Sequence, residues 1–435
     1  MPHRLCLVLQ RRVACFLVQR CVACLLVQRC VACLLLLLGG SSLAHAIDWE
    51  LDADGRLISS NGERSFTSGG LGTLRYDAQH SGLQLGRARL ALAETFAETW
   101  SAHLDASAWG DDDRSPVDLT EAYLQFRPYP FGGYRLRIKG GAFYAPISLE
   151  NRAAGWESPY TLSYSALNTW IGEELRTIGA EAQLEWLGTR LDRAFDAGIT
   201  LGVFGRNEGA GTVLADRGFS LSDRQTTPFG RVGSTISSPL TRVRLFTQMD
   251  DRAGYYAGGE LRLYDRLVLR GLHYDNRADP QAHDQSLPLP AFAWQTRFDS
   301  AGLRAEGNHG LSFIAQWLHG QTYIEPIFGD LLWKFDARFG LLSQQLGAHR
   351  VSVRYDAFDV DAADGAATTG VGTQHGHAWT LAYIHDAGAH WRFSLEWLRV
   401  WSDSVNRTVY LGQPAYARET QLQLGVRYAL RSSLN

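Results

Sequence analysis

The sequence predicts an all-β fold: a transmembrane antiparallel β-barrel of 16 or 18 strands. Three observations carry that prediction. Polar and apolar residues alternate along most of the chain after residue 46. No apolar run in that stretch is long enough to cross a bilayer as a helix. Connections between the alternating segments are short and long in turn.

The first 46 residues read differently. Arg4, Arg11, Arg12, Arg20 and Arg29 precede an apolar run ending in LLLLLGG at 34–40, no acidic residue occurs before Asp48, and Ala44-His45-Ala46 closes the segment. A basic start, an apolar middle and an A-x-A end predict a secretory signal at 1–46, cleaved after Ala46. Cys21/Cys24 and Cys30/Cys33 have the spacing of a zinc or dithiol site, but their Val, Leu and Ala flanks make them part of the apolar run. All six cysteines lie at or before Cys33, so residues 47–435 contain no thiol. Residues 1–46 also hold five of the 42 basic residues and none of the 45 acidic ones, which leaves 37 against 45, a net charge of −8. That sign argues against a nucleic-acid partner.

The remaining chain reads as one barrel, 47–435. Strands are expected near 70–76, 83–93, 98–109, 117–127 and 134–144, followed by a long segment, 145–177. More fall near 178–187, 195–206, 228–236, 240–249, 254–264, 267–275 and 291–304, then near 311–321, 331–342, 349–359, 377–386, 391–401 and 418–430. Merging within 228–249 or 291–321 turns the count of eighteen into sixteen. In YRLRIKGGAFY, Tyr134, Leu136 and Ile138 share one face while Arg135, Arg137 and Lys139 share the other. A soluble sandwich also alternates. Aromatic ends to the apolar faces, and strands of about ten residues, favour a membrane crossing instead. With the first strand rising from the periplasmic side, the long segments 207–227, 276–290, 360–376 and 402–417 fall outside, and the turns GTRLD, SSPL and DAGAH fall inside.

GRARLAL at 86–92, LTEAYLQF at 119–126 and LRIKGGAFYAPISLEN at 136–151 resemble the phosphate-selective porin superfamily, over roughly residues 83–190. The resemblance implies an outer-membrane location, a passive channel for small hydrophilic solutes, a homotrimer, and contact with outer-membrane lipid and with small solutes or ions. It departs from phosphate-selective members in having only Lys139 and Lys334 as lysines, and in ending Arg-Ser-Ser-Leu-Asn after Leu430.

Alternation turns Arg87, Arg89, Arg135, Arg137 and Lys139 to the lumen, with Glu181 and Glu185 on the next strand as partial counter-charges. Strands three places apart lie about 15 Å from one another, so the five cations are read as one patch giving weak anion preference. The long segment after the fifth strand, with WESPYTLSYSALNTWIG at 156–172, is either a packed external lid or, as the resemblance implies, an inward-folded constriction loop carrying Glu150, Trp156, Glu157, Tyr160, Tyr164 and Trp170. In a second reading the four aromatics stack on a sugar or aromatic compound in a substrate-specific uptake channel. A third makes the barrel structural or adhesive. His103, His273, His319, His377 and His385 sit in no hydrolase motif, and no metal-ligand set converges, so neither an enzyme nor a cofactor or metal is expected.

Overall fold

The computed structural model describes residues 47–111, 117–233, 242–264, 266–284, 291–326 and 329–432. Sixteen antiparallel strands close into one barrel. They are β1 (Asp48–Ser60), β2 (Gly82–Phe96), β3 (Trp100–Ala108), β4 (Val117–Phe126), β5 (Tyr134–Phe143), β6 (Thr177–Trp186), β7 (Phe195–Gly205) and β8 (Gly254–Leu263). The second half comprises β9 (Leu267–Asp275), β10 (Gln295–Glu306), β11 (Leu311–Ile324), β12 (Leu331–Leu346), β13 (His349–Asp364), β14 (Gln374–Ala387), β15 (Trp391–Ser404) and β16 (Tyr416–Arg431). Strand β16 returns to β1, pairing Leu430 with Leu51 and Gln423 with Ile58, so every strand has two neighbours.

The count of eighteen therefore falls to sixteen. The first strand is Asp48–Ser60 rather than 70–76, where Ser65 and Glu419 take the backbone and side-chain bonds of the loop and Leu74 bridges Leu221. In β1 the outward residues include Ala53 and Gly55, too small to mark an apolar face, and this hides the alternation of Glu50, Asp52, Asp54 and Arg56 opposite. The two strands expected within 228–249 lie inside the connection after β7, which among the described residues contributes only a two-residue ladder, Val232–Gly233 with Arg242–Val243. Exchanging one first strand for another and losing two later ones leaves the up-down phase unchanged. Long connections such as 61–81, 144–176 and 206–253 therefore share one end of the barrel, and short ones such as 97–99, 264–266 and 388–390 share the other. The segment 1–46 and the turn SSPL at 237–240 lie outside the described residues.

A bulge sets the inward face of β2. Asp54 pairs with Arg87 but Gly55 with Leu85, so Gly86 is the extra residue. A Cβ on Gly86 would stand 1.6 Å from the Asp54 carboxylate, which leaves room for glycine alone. The slip lets Leu83 and Leu85 point outward while Arg87 and Arg89, of the same parity, point inward.

The two halves of the wall differ in height. Strands β3 to β9 run nine to eleven residues, and β11 to β16 run fourteen to sixteen. On the long strands the faces exchange character part-way up. Near the short turns, β13 buries Ser352, Arg354 and Asp356 and exposes Val351, Val353 and Tyr355; further up it buries Phe358 and Val360 and turns Asp359 and Asp361 outward. Strand β12 does the same, with Trp333, Phe335 and Ala337 inside and Lys334, Asp336 and Arg338 outside. Exposed Trp317, Tyr355 and Trp379 mark the crossing, as expected of an aromatic girdle at a membrane boundary. Above it the inner apolar face closes over the loops. Helix α1 (Ala166–Glu174), begun by the Ser165 side chain accepting the Asn168 N–H, is buried along its whole length, and α2 (Thr212–Arg217) packs beside it. Trp170 sits among Phe219, Phe298 and Phe335, with ring centroids 5.1 to 6.3 Å away.

Candidate functional site: the charged lumen and its loop

Below that apolar cap, the polar inner wall and the loop after β5 meet through charges. Strand β5 lies eight places from β13, half the circumference of a sixteen-stranded barrel. The loop bonds to β13 and β15. Arg354 of β13 donates to Glu150 at 2.8 Å and to the Ser163 and Tyr164 carbonyls at 2.7 and 2.9 Å, while its Nε donates to Asp356 at 2.8 Å. Glu396 of β15 accepts the Leu162 and Ser163 N–H groups, and Asp356 accepts that of Ala166. Arg354, Glu150, Asp356 and Glu396 are all fully buried, so these bonds are made away from water.

On the other side Glu157 is held against the wall formed by β16, β1 and β2. Arg427 grips both its oxygens at 2.6 and 2.7 Å, and Arg87 approaches to 2.5 Å. Burial by itself raises the Glu157 carboxyl, but the Arg427 and Arg87 guanidiniums outweigh it and bring the group down to about 2. Charges of alternating sign continue in both directions. Toward the short turns, Arg89 pairs with Asp105, Asp52 and Glu50 at 2.6, 2.9 and 3.3 Å. Toward the long loops, Asp54 pairs with Arg56, Arg56 with Asp223, Asp223 with Arg75, and Arg75 with Asp111, at 2.6 to 3.2 Å. The result is an ionic seam from Glu50 to Asp111, with a water-sized cavity of about 20 Å³ between Arg56, Glu157, Thr161, Arg392 and Arg427.

The five cations singled out from the sequence divide into two groups. Arg87 and Arg89 belong to the seam. Arg135 meets Glu185 at 2.5 Å, Arg137 meets Gln183, and Lys139 meets Glu181 at 3.0 Å, each directly across the β5–β6 ladder. Glu181 also accepts the Tyr256 hydroxyl at 2.8 Å. Arg135, Arg137 and Glu185 line a larger cavity of about 270 Å³ with Glu260, Arg262 and Arg270. The expected counter-charges thus stand beside their cations, and Glu150 pairs across the lumen with Arg354.

The loop aromatics pack on the chain itself. Trp156 stacks on Tyr144 at 4.1 Å and meets Tyr164 edge-on. Tyr160 lies between the Arg152 and Arg350 guanidiniums, and the Trp170 indole N–H donates to Glu174 at 2.5 Å. Glu174 also accepts N–H groups from Gly211 and Val213 at the start of α2, yet burial dominates and pushes it up to about 7.

Sequence reasoning passed over Arg354, Asp356, Glu396, Arg427, Arg56 and Asp223. Five lie at inward positions of alternating strands, as in HRVSVRYDAF, where Arg354 and Asp356 are two apart. Period two marks their face but not their partners. Asp223 comes from the loop after β7 and had no such signal.

No family model matches the chain, and no curated protein sequence does. Solved structures share its architecture. A loop-deletion mutant of OmpT, an outer membrane protein of Vibrio cholerae, superimposes with a TM-score of 0.50 at 9% identity, over 89% of this chain and 100% of that one. OmpT folded in vitro, in its trimer form, gives 0.50 at 9% identity over the same shares. OmpF of Salmonella typhi, in complex with daunomycin, gives 0.49 at 10% identity, over 89% of this chain and 98% of that one. At such identities the likeness concerns the fold: a closed sixteen-stranded barrel of the kind found in outer membrane proteins.

Proposed function

We propose that this chain is an outer-membrane channel for small hydrophilic solutes, exported by a signal at 1–46 and constricted by its 144–176 loop. One observation carries the reading: the ionic seam of Glu50, Arg89, Asp52, Arg427, Glu157 and Arg87, joined through the Arg87 backbone N–H to that of Asp54, Arg56, Asp223, Arg75 and Asp111, gives the inner wall a continuous polar path beside an otherwise apolar cap. Hydrophilic solutes follow such a wall because its fixed charges replace their hydration, whereas the aromatic cap repels them. Weak anion preference belongs to this reading, through Arg135, Arg137, Arg262 and Arg270 around the larger cavity. A homotrimer in the outer membrane is likewise part of it. The apolar packing of Trp170, Phe219 and Phe335 favours a second version, a substrate-specific channel that opens only with its solute. Single-channel recording in a planar bilayer tests both. Large steady openings support the general channel, small openings blocked by one solute class support the specific one, and silence refutes both.

A further inference from the structure

We propose that Arg87 and Arg427 form a binding seat for small carboxylates, occupied at rest by the chain's own Glu157. The inference rests on the channel reading and names a ligand class and a gate for it.

The geometry is that of a ligand in a site rather than a link between strands. Both arginines belong to the wall, β2 and β16, and the carboxylate between them comes from a loop. Arg427 presents its two terminal nitrogens to the two oxygens, the paired arrangement that selects a planar carboxylate, and Arg87 adds a third contact. Arg87 is 1% exposed, and among the described residues its Nε has no hydrogen-bond partner, so this buried guanidinium keeps an unused donor. The cavity of about 20 Å³ touching Glu157 and Arg427 adjoins the seat.

The loop holds Glu157 there under strain. Gly155 and Trp156 both adopt left-handed backbone conformations, with φ of 66° and 55°. For tryptophan that conformation is unfavourable. A Cβ on Gly155 would stand 2.7 Å from the Arg89 side chain and 2.9 Å from Arg87, so only glycine lets the loop come this close. A solute carboxylate that takes the place of Glu157 keeps both arginines paired and frees Trp156 from its strained turn. The loop is then released on this side while Arg354 and Glu396 still hold it on the other.

Replacing Glu157 empties the seat without removing it. In refolded Glu157→Gln, calorimetric titration with sodium acetate at constant ionic strength is expected to show binding, weakened about tenfold or more when Arg427→Gln is added. In planar bilayers Glu157→Gln is expected to pass more chloride current than wild type, with acetate lowering that current. Acetate heats that are equal in Glu157→Gln and in the double variant overturn the seat, whatever the conductance. If no variant conducts while Glu157→Gln still binds acetate, the seat stands and the channel reading falls. Inorganic phosphate binding as well as acetate does overturns the carboxylate class. Should Glu157→Gln not refold, Glu157→Asp replaces it: tighter acetate binding than in wild type supports the seat, and equal binding overturns it.

Discussion

The wall from β3 to β9 and the wall from β11 to β16 follow the same two-residue period yet use it in opposite ways. On short strands such as β5 and β7 the apolar face looks outward, as Leu136, Ile138, Ile199, Leu201 and Val203 do. On the long strands that holds only near the short turns. Above the Trp317, Tyr355 and Trp379 girdle the apolar face turns inward, against α1 and α2, and the outer face carries a row of directly paired polar residues: His319, Asp336, Asp359, His375 and Asp403. The difference lies in the medium. Below the girdle the outer face is apolar, as suits lipid, and the inside holds charges; above it the outer face is polar, as suits water, and the inside is a dry core. Alternation reports that two faces differ, and the surroundings decide which face is the solvated one.

The largest effect is expected at the ionic anchor. Arg354→Gln leaves Glu150 and Asp356 buried with unbalanced charge, and a loss of about 3–5 kcal/mol is expected. Urea unfolding of the refolded barrel measures it, and a loss confined to surface-pair values refutes the anchor.

Next in size is the contrast between the walls. Leu136→Arg, on the lipid face of β5, is expected to cost about 2–4 kcal/mol in lipid vesicles, because the charge has no partner in hydrocarbon. Asp359→Leu, outward on β13 above the girdle, is expected to change stability by about 0.5 kcal/mol or less. Similar costs at the two sites would erase the boundary between the two media.

Acidity separates the cap from the seam. Glu174, held up at about 7 by burial, keeps its proton in the folded state where an unfolded chain has already lost it. The cap is therefore most stable at or below pH 4.5 and loses stability as pH rises toward 7, by about 1–3 kcal/mol. Amide exchange over 211–217, corrected for its intrinsic rate, should be slower at pH 5 than at pH 8. Glu157, drawn down to about 2, has the opposite sign: its contribution is complete above the ordinary value of 4.5 and fades only as pH falls toward 2. Exchange at the seam should hence not change between pH 5 and pH 8.

The smallest effect concerns Arg135, Arg137 and Lys139. Each has a partner across the β5–β6 ladder, so neutralising all three is expected to shift the permeability ratio only modestly toward cations. Reversal potentials in a salt gradient read that shift, and none at all would remove these residues from the conducting path.

What the sequence by itself determined was local: a strand's existence and its two faces, read from side chains one and two positions away. YRLRIKGGAFY and WRFSLEW carry that information in full, and the length of each connection gives the up-down phase. Where Ala53 and Gly55 supply the outward face, the signal thins and β1 escapes notice. Partners and media were decided only by the tertiary structure. Glu150 meets Arg354 across 204 residues and Glu157 meets Arg427 across 270, because barrel closure brings β16 to β1 and sets β13 opposite β5. Phe358 and Tyr355 look alike in a hydropathy pattern, yet one packs in a dry core and the other meets the membrane boundary. Height along the strand and the loops folded inside the wall separate them, and neither quantity is written in a period of two.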